Sequence, residues 1–296
     1  MPARPRPRFA LALLPIFLVA SESRAAYSPS TTNGWFIVVG RVVGFGGAQF
    51  RSDLWLFNPD AAQNAVVTLI FHPQVASGAA APAPIQSTAI TLAPRETKYL
   101  ADVLLATVPA DGQVGALEWS SNLPVMGGMR SYTAPSGCTG GTFGAFQPGI
   151  PTTESMDAMQ SSADAVNVLQ IFGTNSGDSN YRTQLDVTNT STGTVEIEVK
   201  VIDPVTATVY GGVQTFSVAA KSLLRVGRIL EAVGAPSIDG LRITVGIHEG
   251  TILSSGGILA VGSTLDNRSQ DQYAFVGQRQ SGPVVPAQML PLETTP

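Results

Sequence analysis

Alternating apolar and polar positions recur along most of this chain and predict a series of β-strands. The clearest run is 195–201, VEIEVKV, in which every second residue is apolar. Leu54 and Leu56 alternate with their neighbours in the same way, and so do Leu185 and Val187. Successive side chains of a strand point to opposite faces, so a period of two indicates a strand with one buried face.

The order of these predicted strands occurs twice, which indicates two copies of one folding unit. Residues 50–59, FRSDLWLFNP, match residues 181–190, YRTQLDVTNT, so that Arg51 falls on Arg182 and Asn58 on Asn189. Further matched pairs are Leu104 with Leu230, Leu117 with Leu241, Trp119 with Ile243, and Phe146 with Phe275. Length differences between the copies fall in turn-like segments, as expected for a duplicated fold with variable loops.

The matched polar residues have a structural and a functional interpretation. The arginines are expected to pair with a carboxylate or with carbonyls near the sheet edge, and the asparagines to shape the turn after the strand. Ligand contacts are the alternative. Because both copies keep these residues while their loops differ, the structural role is the simpler explanation.

A short helical pattern interrupts the strands of each copy. In the second copy it covers 221–233, where Leu223, Val226 and Leu230 lie near one helical face and Gly234 is placed to end the helix. In the first copy it covers 98–107. The sequence therefore predicts an all-β chain of two tandem immunoglobulin-like antiparallel β-sandwiches, each with one short helix.

These patterns divide the chain into five segments. A signal peptide is expected at 1–25, because Arg4, Arg6 and Arg8 precede the apolar run 9–20 and a small-residue cleavage site. The remaining segments are a first domain at 27–148, a linker at 149–164 rich in Pro, Thr, Ser and Ala, a second domain at 165–279 and a flexible tail at 280–296.

Composition and charge narrow the possible partners. The full chain has 17 Lys and Arg against 21 Asp and Glu, and the predicted leader contains four of the basic residues. Such an acidic chain lacks the basic excess that nucleic acid and anionic membranes require. No run of apolar residues is long enough for a membrane span. The expected location is therefore outside the cytoplasm: periplasmic, on the cell surface or extracellular.

Several short segments share a pattern with known proteins: 50–59, Ala93-Pro94, 141–146, 181–185 and 266–271. Together they resemble a family of exported bacterial proteins with tandem immunoglobulin-like domains and no established activity. The resemblance implies a β-sandwich protein of the cell surface or extracellular space, and it supplies no catalytic residues.

Catalytic chemistry has little support in the sequence. The two histidines, His72 and His248, do not occupy matching places in the two copies, and they are interpreted as turn or surface positions. There is no Gly-x-Ser-x-Gly elbow, phosphate loop or His-Glu-x-x-His segment. Cys138 is the only cysteine, so it has no partner for an internal disulfide, and a loop thiol without a role is the simplest interpretation. The chain is therefore expected not to be an enzyme.

One segment has the composition of a cation site. Asp266, Asn267, Ser269 and Asp271 place several oxygen donors within six residues, which suits a loosely held Ca²⁺. An Asx-rich turn, whose side chains bond their own backbone, explains the same residues better. No cofactor is therefore expected, with Ca²⁺ as the alternative.

Two aromatic residues are the sequence's candidates for a binding surface. Trp55 and Phe57 lie on the strand face opposite the buried leucines, at positions that Asp186 and Thr188 hold in the second copy. If Asp186 is solvated, the first copy presents rings where the second presents polar groups. In the simpler explanation, other parts of the chain cover this patch. In the alternative explanation, an unknown protein or glycan of the cell envelope covers it.

The expectation for function combines these points. The sequence favours a secreted, non-catalytic structural or adhesive protein, with a carbohydrate- or peptide-binding accessory module as the alternative.

Overall fold

The structure is a computed structural model of the full chain. It describes residues 29–44, 47–134, 142–156, 169–174, 181–236, 240–251, 253, 255–267 and 270–279. The predicted signal peptide, the predicted tail, Cys138 and Ser269 lie outside the described residues, and so does the linker beyond residue 156.

The first half of the chain is built from strands and one short helix, α1 Val103–Ala106. Its strands are β1 Thr31–Gly40, β2 Val42–Val43, β3 Gln49–Phe57, β4 Ala65–Val75, β5 Ile85–Gln86, β6 Ile90–Leu92, β7 Thr97–Leu100, β8 Val114–Ala134, β9 Phe143–Pro148 and β10 Ile150–Pro151. Strand β8 joins two sheets, because its first part pairs with β1 and β4 and its last part with β3 and β9.

The second half has the same kind of content, and a 3-10 helix, Thr152–Glu154, precedes it. Its helix is α2 Ile229–Ala232. Its strands are β11 Leu169–Thr174, β12 Tyr181–Asn189, β13 Val195–Ile202, β14 Val209–Val218, β15 Ser222–Val226, β16 Leu241–Ile247, β17 Ile258–Asp266, β18 Gln272–Val276 and β19 Gln278–Arg279.

The hydrogen-bonded strand order is the same in the two halves. Sheet A of the first half runs β6-β4-β8-β1-β10, and sheet D of the second runs β14-β13-β16-β11-β19. Sheet B of the first half runs β7-β3-β8-β9, and sheet C of the second runs β15-β12-β17-β18. The predicted all-β class is confirmed.

Each half has its own apolar cluster, formed by side chains from both of its sheets. In the first half, Phe36 of sheet A and Leu54 of sheet B belong to one cluster, which also contains Trp119. In the second half, Ile197 of sheet D and Val187 of sheet C belong to another. The odd-even alternation of β3 and β13 is what directs these residues inward.

Both helices are shorter than the sequence indicated. Residues 222–226 of the predicted second helix form β15, which pairs with β12, and residues 97–100 form β7. Ser222, Leu223 and Leu224 are all buried, so this strand shows no alternation and resembles a helical pattern. Gly234, at φ 67°, ends α2 as predicted. No helix in the described ranges is long and apolar enough to span a membrane.

The predicted linker begins with packed structure rather than a free connection. Strand β10 pairs with β1, so Ile150 is part of sheet A. Met156 is fully buried and forms a bridge with Ile258 of the second half. The apolar side chains of Ile150 and Met156, embedded in a Pro- and Thr-rich segment, account for this packing.

Strand pairing also corrects three of the sequence matches. With Arg51 aligned on Arg182, the ladders place Phe146 opposite Arg130, and its counterpart opposite Ser263 is Ala274 rather than Phe275. A slip of one residue moves a side chain to the other face of a sheet. The ladders likewise match Trp119 with Val245 rather than Ile243, and Leu117 with Ile243 rather than Leu241. Trp119 is fully buried, so its predicted core position is confirmed.

The two halves are docked through a third apolar cluster. Trp35, Ile37 and Ala116 of sheet A pack with Leu223 and Leu259 of sheet C. Strand β15 also pairs in parallel with the end of β4, which links the halves by backbone hydrogen bonds. The outer face of sheet C is therefore covered by the first half.

Candidate binding surface

The predicted residues Trp55 and Phe57 lie on the outer face of sheet B. The Trp55 ring is half-buried and packs against Tyr99 of β7, with 5.1 Å between ring centroids and 31° between ring planes. On its other side Trp55 pairs with Gly128 of β8. The ring of Phe146 lies over Gly128, where an added Cβ would come within 2.8 Å of its Cζ. Trp55, Phe57, Tyr99 and Phe146 are called the aromatic face below.

Two members of the aromatic face are strongly exposed. Tyr99 is 52% exposed and Phe146 is 63% exposed, whereas Trp55 and Phe57 are half-buried. The period of two in β3 produces this arrangement, because burial of Leu54 and Leu56 in the core turns Trp55 and Phe57 outward. The described part of the chain thus leaves a ring surface open to solvent.

Hydrogen-bonding groups border these rings. The Tyr99 hydroxyl donates to Asp53 Oδ2 at 2.8 Å, and the backbone N–H of Asp102 donates to Asp53 Oδ1 at 2.8 Å. The hydrogen bond to the Asp53 carboxylate is the main reason that the pKa of Tyr99 is raised to about 12. Burial and then the Asp53 charge also raise the pKa of Tyr132. Both phenols are therefore protonated donors at neutral pH.

Arginines add positive charge to the same border. Arg130 lies over the Tyr132 ring at 5.2 Å and donates to the Thr142 carbonyl at 3.1 Å. Arg41 pairs with Asp102 at 3.0 Å and also with Asp111. The surface therefore combines planar apolar rings with groups of both signs, which suits a partly polar ligand.

The counterpart of the aromatic face in sheet C has a different chemistry. Where β3 and β7 place Trp55 opposite Tyr99, β12 and β15 place Asp186 opposite Arg225. Arg225 donates to both Asp186 oxygens, at 2.6 and 3.1 Å. Asp186 is only 1% exposed, so the premise that it is solvated is wrong. The first half covers it, and Thr188 Oγ1 donates to the Ile37 carbonyl at 2.9 Å.

Three of the predicted calcium residues, Asp266, Asn267 and Asp271, lie at the connection between β17 and β18, and Ser269 lies outside the described residues. Asp266 and Asp271 close the turn through a backbone hydrogen bond of 2.9 Å. The side-chain oxygen of Asn267 accepts a hydrogen bond from Arg182. Among the residues that the structure describes, no group of three His, Cys, Asp or Glu side chains is arranged to hold a metal ion. The Asx-rich turn and the Ca²⁺ alternative both stay predictions.

The matched polar pairs behave differently from one another. Asn58 donates to the carbonyls of Gln63, Leu92 and Ala93, and Asn189 donates to three carbonyls at the matching places. The prediction that the asparagines shape the turn is confirmed. Arg51 Nε lies 3.9 Å from Asp102 Oδ2, and Arg182 donates to the side-chain amide oxygens of Asn267 and Gln270.

His72 is buried, and its interpretation as a turn or surface position is wrong. Its Nε2 lies 2.9 Å from Glu118 Oε2, and its ring packs on Trp35 at 5.0 Å. Lys221 of the second half reaches the same carboxylate at 3.1 Å. Burial opposes ionisation of Glu118, but the hydrogen bonds and charges of His72 and Lys221 together lower its pKa. This cluster belongs to the docking interface.

His248 lies in the other half and is exposed. Its Nδ1 is 2.8 Å from Glu198 Oε1. An exposed pair of this kind contributes little to stability, because water screens the charges.

No protein-family model, no curated protein and no solved structure matches the chain.

Sequence reasoning missed Tyr99 and Phe146 as partners of Trp55. Tyr99 was assigned to a helix, which hid its place opposite Trp55 in a strand ladder. The sequence matches Phe146 with Phe275, whereas the ladders match it with Ala274. The main obstacle to predicting this ring cluster was the helix expected in place of β7, because only strand pairing brings the rings together.

Proposed function

We propose that this chain is an exported, non-catalytic interaction protein of the bacterial cell surface or extracellular space. It holds a protein or glycan partner of the envelope through the aromatic face. The observation that carries the proposal is the exposure of Tyr99 and Phe146 beside Trp55. Large exposed ring surfaces on a folded domain mark interaction sites, because water contact with apolar area is unfavourable.

Its architecture is proposed to be two immunoglobulin-like sandwiches of common origin. The shared strand order supports this, and so do matching local features. Arg95 and Lys221 have positive φ at equivalent places, although non-glycine residues rarely adopt it. A hydroxyl pair, Ser52 with Ser131 at 3.4 Å, recurs as Thr183 with Thr264 at 3.2 Å.

The equivalent outer faces of sheets B and C differ in whether the rest of the chain covers them, and this difference supports the proposal. Sheet C uses its outer face to dock on the first half, where it buries Asp186 and Thr188. Sheet B keeps its outer face for an external partner. One copy thus builds the scaffold and the other presents the binding surface.

Binding of the mature protein to envelope fractions of the producing cell tests this function. Purified protein is sedimented with the envelope, and the bound fraction is measured for the wild type and for a Tyr99→Ala/Phe146→Ala double variant. At least a tenfold loss of binding is expected for the double variant. Val205→Ala is the matched control, because Val205 is an exposed apolar residue of the second half. Equal binding by all three proteins would contradict the proposal.

A carbohydrate ligand is the second candidate, favoured by the polar groups beside the rings. Sugars offer apolar C–H faces for stacking and hydroxyls for groups such as Asp53, Arg130 and Tyr132. A glycan array with Trp55→Ala as a control separates this ligand from a protein partner. Binding of a glycan by the wild type that Trp55→Ala loses supports it, and a blank array rejects it.

A further inference from the structure

A cleft of about 220 Å³ lies where the two halves meet, away from the aromatic face. Strands of the first half contribute Arg51, Ser131 and Gln147 to its wall. Strands of the second half contribute Arg182, Arg225 and Ser263. Because both halves supply walls, the cleft exists only in the docked arrangement.

Two residues that line this cleft each have a buried side-chain atom without a hydrogen-bond partner in the described part of the chain. The two atoms are Gln147 Oε1 and Ser263 Oγ, and their residues are only 5% and 6% exposed. Gln147 comes from β9 and Ser263 from β17, so they belong to opposite halves. Leaving such groups unpaired in a protein interior is unfavourable, and native proteins usually satisfy them with protein groups, ordered water, an ion or a ligand.

The charges around the cleft favour an anion. Arg51, Arg182 and Arg225 line it, against one carboxylate, Asp186, which Arg225 already binds. Burial first, and then the charges of Arg228 and Arg225, lower the pKa of Arg182. A bound carboxylate would relieve this concentration of positive charge in a protein whose overall charge is negative.

Apolar side chains supply another part of the lining. They include Val38 and Val114 from the first half and Val261 and Leu265 from the second. A ligand of this cleft therefore combines a charged end and hydrogen-bonding groups with a small apolar body.

We propose that the cleft between the halves binds a small hydroxy or amino acid. Its carboxylate lies on the guanidinium side, with Arg51 and Arg182. A hydroxyl or ammonium group donates to Gln147 Oε1, and Ser263 Oγ completes the hydrogen bonds. This site is independent of the aromatic face, so either could fail without the other.

Calorimetric titration of the full mature protein with a defined panel tests the site. The panel contains lactate, L-serine, L-glutamate and galacturonate, with galactose and inorganic phosphate as comparison ligands. Saturable binding of at least one acid is expected, with at least tenfold weaker binding of galactose. Failure of all four acids to bind, or equal binding of galactose, would overturn the proposal. Binding of phosphate alone would show a general anion site and overturn the assigned class.

Substitutions locate the binding and separate it from a structural role. Gln147→Met and Ser263→Ala are each expected to weaken the acid at least tenfold while leaving the melting temperature equal or higher. Gln63→Met, at an exposed site, is the matched control, and Tyr99→Ala/Phe146→Ala should leave acid affinity unchanged. Undiminished affinity in both cleft variants would place the acid elsewhere and overturn the assignment.

Discussion

Single asparagines hold the turn that follows the central strand of each half. The side-chain nitrogen of Asn58 donates to three carbonyls, and its oxygen accepts from the Asp60 N–H at 3.0 Å. Asn189 makes the same contacts in the second half, where Ser191 takes the place of Asp60. Both asparagines are fully buried, so no water can replace these bonds. Repetition of Asn at this place in the sequence was therefore a reliable structural signal.

Replacement of Asn58 by Ala should lower the free energy of unfolding by about 2–4 kcal/mol, because buried carbonyls lose their donors. Urea denaturation measures this change. Asn64→Ala is the control at an exposed position and should stay within about 0.5 kcal/mol of the wild type. Equal stability of the two variants would contradict the role given to Asn58.

The Tyr99 phenol should lose its proton only at high pH, with a pKa of about 12, because its hydroxyl donates a hydrogen bond to the Asp53 carboxylate. A raised phenol pKa stabilises the fold below the ordinary value of about 10, and this contribution disappears as the pH rises through the higher value. The difference in ultraviolet titration between the wild type and Tyr99→Phe measures the pKa. In an Asp53→Asn background it should return towards about 10, and an unchanged value would exclude Asp53 as the cause.

At the scale of elements, alternation predicted the strands well where one face is buried and the other is open. Strand β13, with its strict pattern, lies at 195–202 against a predicted 195–201. Strand β15 was mistaken for a helix, since it is buried on both faces and lacks alternation. The candidate site was predicted only in part. Trp55 and Phe57 can be identified from the alternation of a single strand, whereas Tyr99 and Phe146 depend on pairing between strands far apart in sequence.

Glycines show how tightly particular strands pack. A Cβ on Gly34 would lie 2.2 Å from the buried Trp119 ring and 2.8 Å from the Ile150 carbonyl oxygen, neither of which has room to move. A Cβ on Gly128 would meet only the exposed ring of Phe146, which can turn away. The same substitution should therefore have different costs in sheets A and B.

Gly34→Ala is expected to destabilise the protein by about 2 kcal/mol or more, because it overpacks the core. Gly128→Ala should change stability by less than about 1 kcal/mol while displacing Phe146 and weakening envelope binding. Thermal denaturation and the sedimentation assay measure these effects. Equal destabilisation by the two substitutions would contradict the packing described for either strand.

At the scale of the whole molecule, docking of the halves decides which surfaces remain available. Apolar contacts around Trp35 and Leu223 cover the outer face of sheet C, and the Glu118 cluster with His72 and Lys221 adds charge pairing. No pattern in the sequence indicated this interface. Docking depends on complementary side chains from two separate sheets, which no local pattern reveals, and for this reason Asp186 was mistaken for a solvated residue.

The docking interface between the halves should weaken in acid, because the contacts of Glu118 with His72 and Lys221 depend on its ionised carboxylate. A lowered carboxyl pKa stabilises the fold above the ordinary value, and this contribution is lost as the pH falls through the lowered value. Unfolding free energies measured between about pH 6 and pH 3 should therefore fall more for the wild type than for Glu118→Gln. Glu249→Gln, which removes an exposed charge, should follow the wild type. Parallel curves for wild type and Glu118→Gln would contradict the cluster.

Hydroxyl-radical footprinting of the mature protein tests most directly the claim that one equivalent face is closed by docking and the other stays open. Oxidation rates at individual side chains are read by mass spectrometry. Tyr99 and Phe146 are predicted to be oxidised readily, and Trp35, which is fully buried at the interface, to be protected despite its high intrinsic reactivity. Oxidation of Trp35 as fast as Tyr99, or protection of Tyr99 and Phe146, would contradict the account.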